Sequence, residues 1–126
     1  MVAALAAAGL IATLAACAGN GAPEEYSTID ALKEAYVEAG GTCSDWEVGD
    51  AVGDWAQFGN CGSDGAVLST YSSESDRDRT VSDLKSRKQS MSRAFVGPNW
   101  IIASNEEEAV GLNMNAMIVT LDGVDQ

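Results

Sequence analysis

The chain has 126 residues, 46% of them apolar, a formal net charge of -12 and no histidine. That length suits one small domain. So acidic a chain argues against nucleic-acid binding, because phosphates would be repelled, and the missing imidazole excludes Ser-His-Asp and Cys-His catalysis.

Residues 1–18 carry no charged side chain and are mostly Ala, Leu, Ile and Val. The run is at the short edge for a membrane-spanning helix and suits the h-region of a signal peptide. It ends in Leu14-Ala15-Ala16-Cys17. That tetrapeptide resembles the lipobox of bacterial lipoproteins, where a leader is cut before a cysteine whose sulfur carries diacylglycerol. The resemblance implies a leader over 1–16, lipidation of Cys17 and a protein held on the outer face of the cytoplasmic membrane. No Lys or Arg stands near Met1, so the n-region is minimal or the start lies upstream. An uncleaved N-terminal anchor is the alternative. Two acyl chains favour stable retention, since each buried methylene contributes ~0.8 kcal/mol. Residues 17–26 include Gly19-Asn20-Gly21-Ala22-Pro23-Glu24-Glu25 and read as a flexible tether. No later run is long enough to span a bilayer, so residues 27–122 read as a soluble domain and 123–126 as a tail.

The first helix is expected from about Thr28 to Ala39. Ser27 would cap it, with Asp30 near the capping-box spacing. Ile29, Leu32, Ala35, Tyr36 and Ala39 form one apolar stripe, and Gly40-Gly41 stop the helix. From Ser44 to Tyr71 the pattern turns to strands: Trp46 and Val48 alternate with polar residues, then Ala56–Cys61 and Ala66–Ser72 flank the turn Gly62-Ser63-Asp64-Gly65. A second helix is expected from about Ser75 to Ser92, capped by Ser73 or Ser75, with Val81, Leu84 and Met91 inward and Lys88 snorkelling at the edge. Ala94-Phe95-Val96 and Trp100-Ile101-Ile102-Ala103 flank Gly97-Pro98-Asn99, a second hairpin. Ser104 or Asn105 would cap a last helix starting at Glu106-Glu107-Glu108, whose acids suit its positive end. Met117–Leu121 would close the sheet. The fold expected is α+β: a single antiparallel sheet built from hairpins, with two to three helices packed on one face.

Three cysteines are present. With Cys17 lipidated, Cys43 and Cys61 remain as an even pair in an oxidising compartment. Their bridge would close a loop of about 19 residues and stabilise by roughly 3 kcal/mol. A zinc site is disfavoured without histidine, and a redox site without Cys-x-x-Cys. No metal or other cofactor is expected.

Ala35-Tyr36-Val37-Glu38-Ala39-Gly40-Gly41-x-Cys43, Cys61 and Val96-Gly97-Pro98-Asn99-Trp100-Ile101-Ile102 together resemble a group of small, mostly uncharacterised actinobacterial lipoproteins. The resemblance spans Leu32 to Ser104 and implies export and anchoring. It carries no activity to any residue. Similar small lipoproteins occur in phage genomes, where some resemble superinfection-exclusion proteins.

Asp45, Glu47, Asp50 and Asp54 crowd one Gly-rich stretch and, with Trp55, make the candidate binding surface. Four carboxylates suggest calcium, but the spacing is not that of an EF-hand loop. A carboxylate pair could also serve glycosidic cleavage. Trp46, Trp55 and Trp100 either stack on sugars or build the core. Trp100 reads as core, and Trp55 as the exposed one. Six of the seven basic residues fall between Arg77 and Arg93, as a solvated helix face paired with acids elsewhere or as a contact for anionic surfaces. These features together read as a lipid-anchored, non-enzymatic interaction domain for an envelope protein or wall polymer. The alternatives are a phage-encoded exclusion lipoprotein and a small envelope hydrolase.

Overall fold

Residues 23–50, 55–87 and 90–121 are described by the structure, a computed structural model. The expected leader over 1–16, Cys17, Asp54, Lys88 and the expected tail over 123–126 lie outside the described residues.

Helix α1 spans Ile29–Glu38. Thr28, not Ser27, caps it: its backbone is extended and its Oγ1 accepts a hydrogen bond from Ala31 N at 3.1 Å. The cap position follows from docking. Ile29 is 3% exposed, and its N–H donates to Gln57 Oε1 at 2.6 Å, so the helix must begin there. Asp30 is left to accept from Trp46 Nε1 at 2.9 Å, which ties the next segment to the helix. Gly40, at φ 113, ends the turn in a conformation that favours glycine.

Six strands succeed it: β1 (Glu47–Gly49), β2 (Trp55–Asn60), β3 (Val67–Tyr71), β4 (Arg93–Val96), β5 (Trp100–Ser104) and β6 (Met117–Thr120). Helix α2 (Glu74–Ser86) joins β3 to β4, and α3 (Glu108–Asn113) joins β5 to β6. The strands form one sheet in the order β1-β2-β3-β5-β4-β6, with every neighbouring pair antiparallel. The single antiparallel sheet with three helices is the α+β architecture expected.

The placement of the helices differs from the expectation. Both β3 and β4 run antiparallel to β5, so they are parallel to each other with β5 between them. Both β5 and β6 run antiparallel to β4 and are parallel in the same sense. The crossovers β3-α2-β4 and β5-α3-β6 therefore step the same way across the sheet from strands of opposite direction. Crossovers of one hand must then put their helices on opposite faces. Two cores result. Under α1 and α3, Ile29, Leu32, Tyr36, Val110 and Met114 pack on Leu68, Phe95, Trp100 and Ile102. Under α2, Leu84 packs with Tyr71, Ala94, Val96 and Ile101. The helices are not on one face, and the alternation in β5 shows why both faces need cover: Trp100 and Ile102 point one way, Ile101 the other.

Two helix ends also differ. Ser73 caps α2 as expected, its Oγ accepting from Asp76 N at 3.2 Å. But α2 stops at Ser86 rather than Ser92, because the start of β4 claims Ser92. Ser92 O accepts from Leu121 N at 3.0 Å, and Asn105 Oδ1 takes Ser92 N at 2.7 Å. Helix α3 begins at Glu108 rather than Glu106 and has no side-chain cap. The two expected caps are spent elsewhere: Asn105 on residues 90 and 92, and Ser104 on Tyr36 and Glu106.

Trp100 is fully buried, as expected of it, and fixes the residue before its turn. A Cβ at Gly97 would lie 2.0 Å from Trp100 Cε2. Gly97→Ala should therefore destabilise the fold by about 1–3 kcal/mol, the range for overpacking. Urea unfolding would show a lowered midpoint at unchanged slope. An unaltered midpoint would contradict the packing described.

Candidate functional site

Among the described residues, a dense set of long-range polar contacts surrounds the turn between β4 and β5. Gly97 N donates to Trp100 O at 2.9 Å and closes the turn. Asn99 then grips the backbone of Tyr26 at both points: its Oδ1 accepts from Tyr26 N at 3.1 Å and its Nδ2 donates to Tyr26 O at 2.9 Å. The indole Nε1 of Trp100 donates to Glu24 O at 2.7 Å. The Tyr26 ring tilts against Trp100 with centroids 6.0 Å apart. From α2, Arg77 Nη1 donates to Gly97 O at 2.9 Å and Pro98 O at 3.0 Å. Its other nitrogens hold Asp78. From β3, Tyr71 N donates to Asn99 O at 2.9 Å. Residues 24–26, read from sequence as tether, are thus part of the folded domain.

The opposite end of the sheet is closed covalently. Cys43 and Cys61 form the expected disulfide, with Cα atoms 4.7 Å apart and Cys61 fully buried. Ser44 donates to Asp64 Oδ2 through its N–H at 2.8 Å and its hydroxyl at 2.9 Å. Those two donors hold the Asp64 carboxyl below its ordinary range. Thr42 N donates to Glu106 Oε2 at 3.0 Å. Beneath them, the buried Tyr36 hydroxyl and Ser104 Oγ share a hydrogen bond of 3.0 Å. Burial pushes the Tyr36 phenol up to about 12, against the opposing pull of that bond and with help from the charges of Glu106 and Asp64.

Of the acidic surface expected beside Trp55, Glu47 lies away from the tryptophan. Asp45, Glu47 and Asp50 are exposed, and Asp54 lies outside the described residues. Glu47 pairs with Asn60, whereas Trp55 pairs with Tyr71. They stand at opposite ends of β2, roughly five residues or about 17 Å apart along the strand. Trp55 is half-buried rather than exposed. A register shift between Trp55 and Gln57 turns it onto the α2 side of the sheet, where its ring lies 4.9 Å from that of Phe58. Trp46 covers Gly59, where a Cβ would meet its ring at 2.3 Å. Among the described residues, no group of His, Cys, Asp and Glu is arranged to hold a metal ion.

The basic segment pairs locally. Arg77 takes Asp78, Arg79 takes Asp76 at 3.0 Å, and Arg87 takes Asp83 at 3.5 Å. Arg93 donates to Glu106 O. The acids of these three pairs belong to α2 itself. The grip of Asn99 and the brace of Arg77 had no local signal, because each joins residues that only the folded topology brings together. Comparison with protein-family models, curated proteins and solved structures finds no match to this chain.

Asn99→Ala removes both bonds to Tyr26 and should cost about 1–3 kcal/mol. Hydrogen exchange at the Tyr26 amide should accelerate more than at Ile102, and equal acceleration would argue against a local clamp. For Tyr36, the folded phenol ionises near 12 against an ordinary 10.0. Its contribution to stability is complete below pH 10 and is lost as pH rises from 10 to 12, by up to about 1.4 kcal/mol per pH unit. Tyr36→Phe should flatten that part of the alkaline stability profile, measured by urea midpoints.

Proposed function

We propose that the chain is a membrane-anchored extracytoplasmic lipoprotein whose folded domain is a non-enzymatic binding module held close to the bilayer. Cys43 and Cys61 are spent on each other, and that pairing leaves Cys17 as the one remaining cysteine, at the end of the apolar run. The observation that carries the reading furthest is the clamp on residues 24–26. It shortens the leash to Cys17–Pro23, which can extend at most about 25 Å. A domain on so short a leash works at the membrane surface. Its Gly97–Trp100 end faces the lipid, because the leash enters there. The far end presents the disulfide with Asp45, Glu47 and Asp64 exposed around it. Such a surface suits a basic patch on an envelope protein or a cationic wall component. Among the described residues, no helix is long and apolar enough to cross a membrane, and the anchoring proposed needs none.

Intact mass spectrometry of the protein extracted from membranes of a producing cell tests the anchor. The expected mass begins at Cys17, carries acyl groups and lacks two hydrogens for the disulfide. A mass beginning at Met1 with free thiols would overturn both the anchoring and the compartment. For the binding role, crosslinking in intact envelopes should yield a discrete partner. Charge reversal at Asp45 and Glu47 should abolish that product while leaving the mass of the anchor unchanged.

A further inference from the structure

Helix α2 does not fill the space above the sheet, and a cavity of about 220 Å3 remains between them. The cause is in the helix sequence. Of the 13 residues from Glu74 to Ser86, only Thr80 and Leu84 are buried. The first turns are positioned by polar contacts, with Arg77 bonded to the carbonyls of Gly97 and Pro98. The second half passes over Ile101 and Ala103 with Leu84 as its one buried apolar side chain. Trp55 and Met91 wall the sides, and Arg87 stands at the edge.

The cavity suits an apolar guest better than water. Interiors are otherwise close-packed, and an engineered apolar cavity of about 150 Å3 stays dry and takes up benzene. The buried hydroxyls in these walls already have partners. Ser69 Oγ lies 2.7 Å from Tyr71 Oη, and Thr80 Oγ1 donates to Asp76 O at 3.3 Å. Among the described residues, no buried side-chain nitrogen or oxygen lacks a partner. Water inside would find few bonds to make. Arg87 is different: it is 56% exposed, and its ion pair with Asp83 is long at 3.5 Å. A guanidinium held so loosely exchanges readily for another carboxylate.

We propose that this cavity binds a short, unbranched aliphatic carboxylate, its chain beneath α2 and its carboxylate on Arg87. The proposal is independent of anchoring at Cys17. Octanoate titrated into the 15N-labelled protein is the probe. Saturable shifts are expected at Ser69, Thr80, Leu84 and Ile101, with none at Tyr26 or Cys43, and the emission of Trp55 should change alongside. Ala103→Leu fills the floor and should abolish the shifts while keeping or raising the unfolding midpoint, which shows that the variant folds. Arg87→Gln should weaken octanoate binding by up to about five-fold, the range of an exposed ion pair, and leave 1-octanol binding unchanged. Absence of saturable shifts at millimolar octanoate would overturn the proposal. So would shifts that persist unchanged in Ala103→Leu.

Discussion

The contact on which the rest of the structure depends is the close approach of the Trp100 ring to Gly97. The indole lies where a side chain at Gly97 would have to be. With the ring seated there, its Nε1 reaches Glu24 O and the turn offers its carbonyls to Arg77. Asn99 is then aimed at Tyr26 from one side and at Tyr71 N from the other. One short turn thus joins the N-terminal segment, the central strands and α2. Each of these bonds is modest alone, a net of about 1 kcal/mol. Together they fix elements whose apolar contacts lie on opposite faces of the sheet.

The two faces of the sheet are covered unequally, and the inequality traces to composition. The face under α1 and α3 holds most of the large fully buried side chains: Trp100, Tyr36, Phe95, Leu32, Leu68 and Ile102. The face under α2 holds Tyr71, Leu84, Ala94, Val96 and Ile101 beneath a helix that is polar nearly all round. A helix with so little apolar surface is positioned by Arg77 on the turn carbonyls and by Leu84 on the sheet. The cavity and the early end of α2 are two results of the same shortage. The chain after Ser86 joins the sheet through Ser92 at the start of β4 instead of continuing as helix.

Features set by neighbours in sequence were legible in the chain itself. The Ser73 cap, the Gly40 stop, both tight hairpins and the burial of Trp100 all depend on residues within a few positions of one another. The disulfide followed from counting three cysteines and assigning one to lipid. Features that depended on distant pairing were not legible. The face taken by α2 is decided by strand direction and crossover hand, which no local pattern states. Thr28 caps α1 because Ile29 meets Gln57 across 28 positions. Glu47 is parted from Trp55 for a related reason. Closeness in sequence from Asp45 to Trp55 suggested one surface, but the hairpin of β1 and β2 sets Glu47 against Asn60 and sends Trp55 to the other end.

The two ends of the sheet are reinforced by different means, and the difference matches where load would enter. In the anchored reading, any pull on the domain arrives through residues 24–26. These are held by Asn99 and Trp100, at the start of β5, which is flanked by β3 and β4. Force therefore enters the middle of the sheet, where a strand cannot peel away without breaking two ladders at once. The outer strand β1 is only three residues long and sits at the edge. It has no such protection from its ladder. There the disulfide takes over, binding the segment before β1 to the end of β2, while Trp46 fixes the same segment to α1 through Asp30. Hydrogen bonds suffice where the sheet itself distributes strain, and the covalent link stands where it does not.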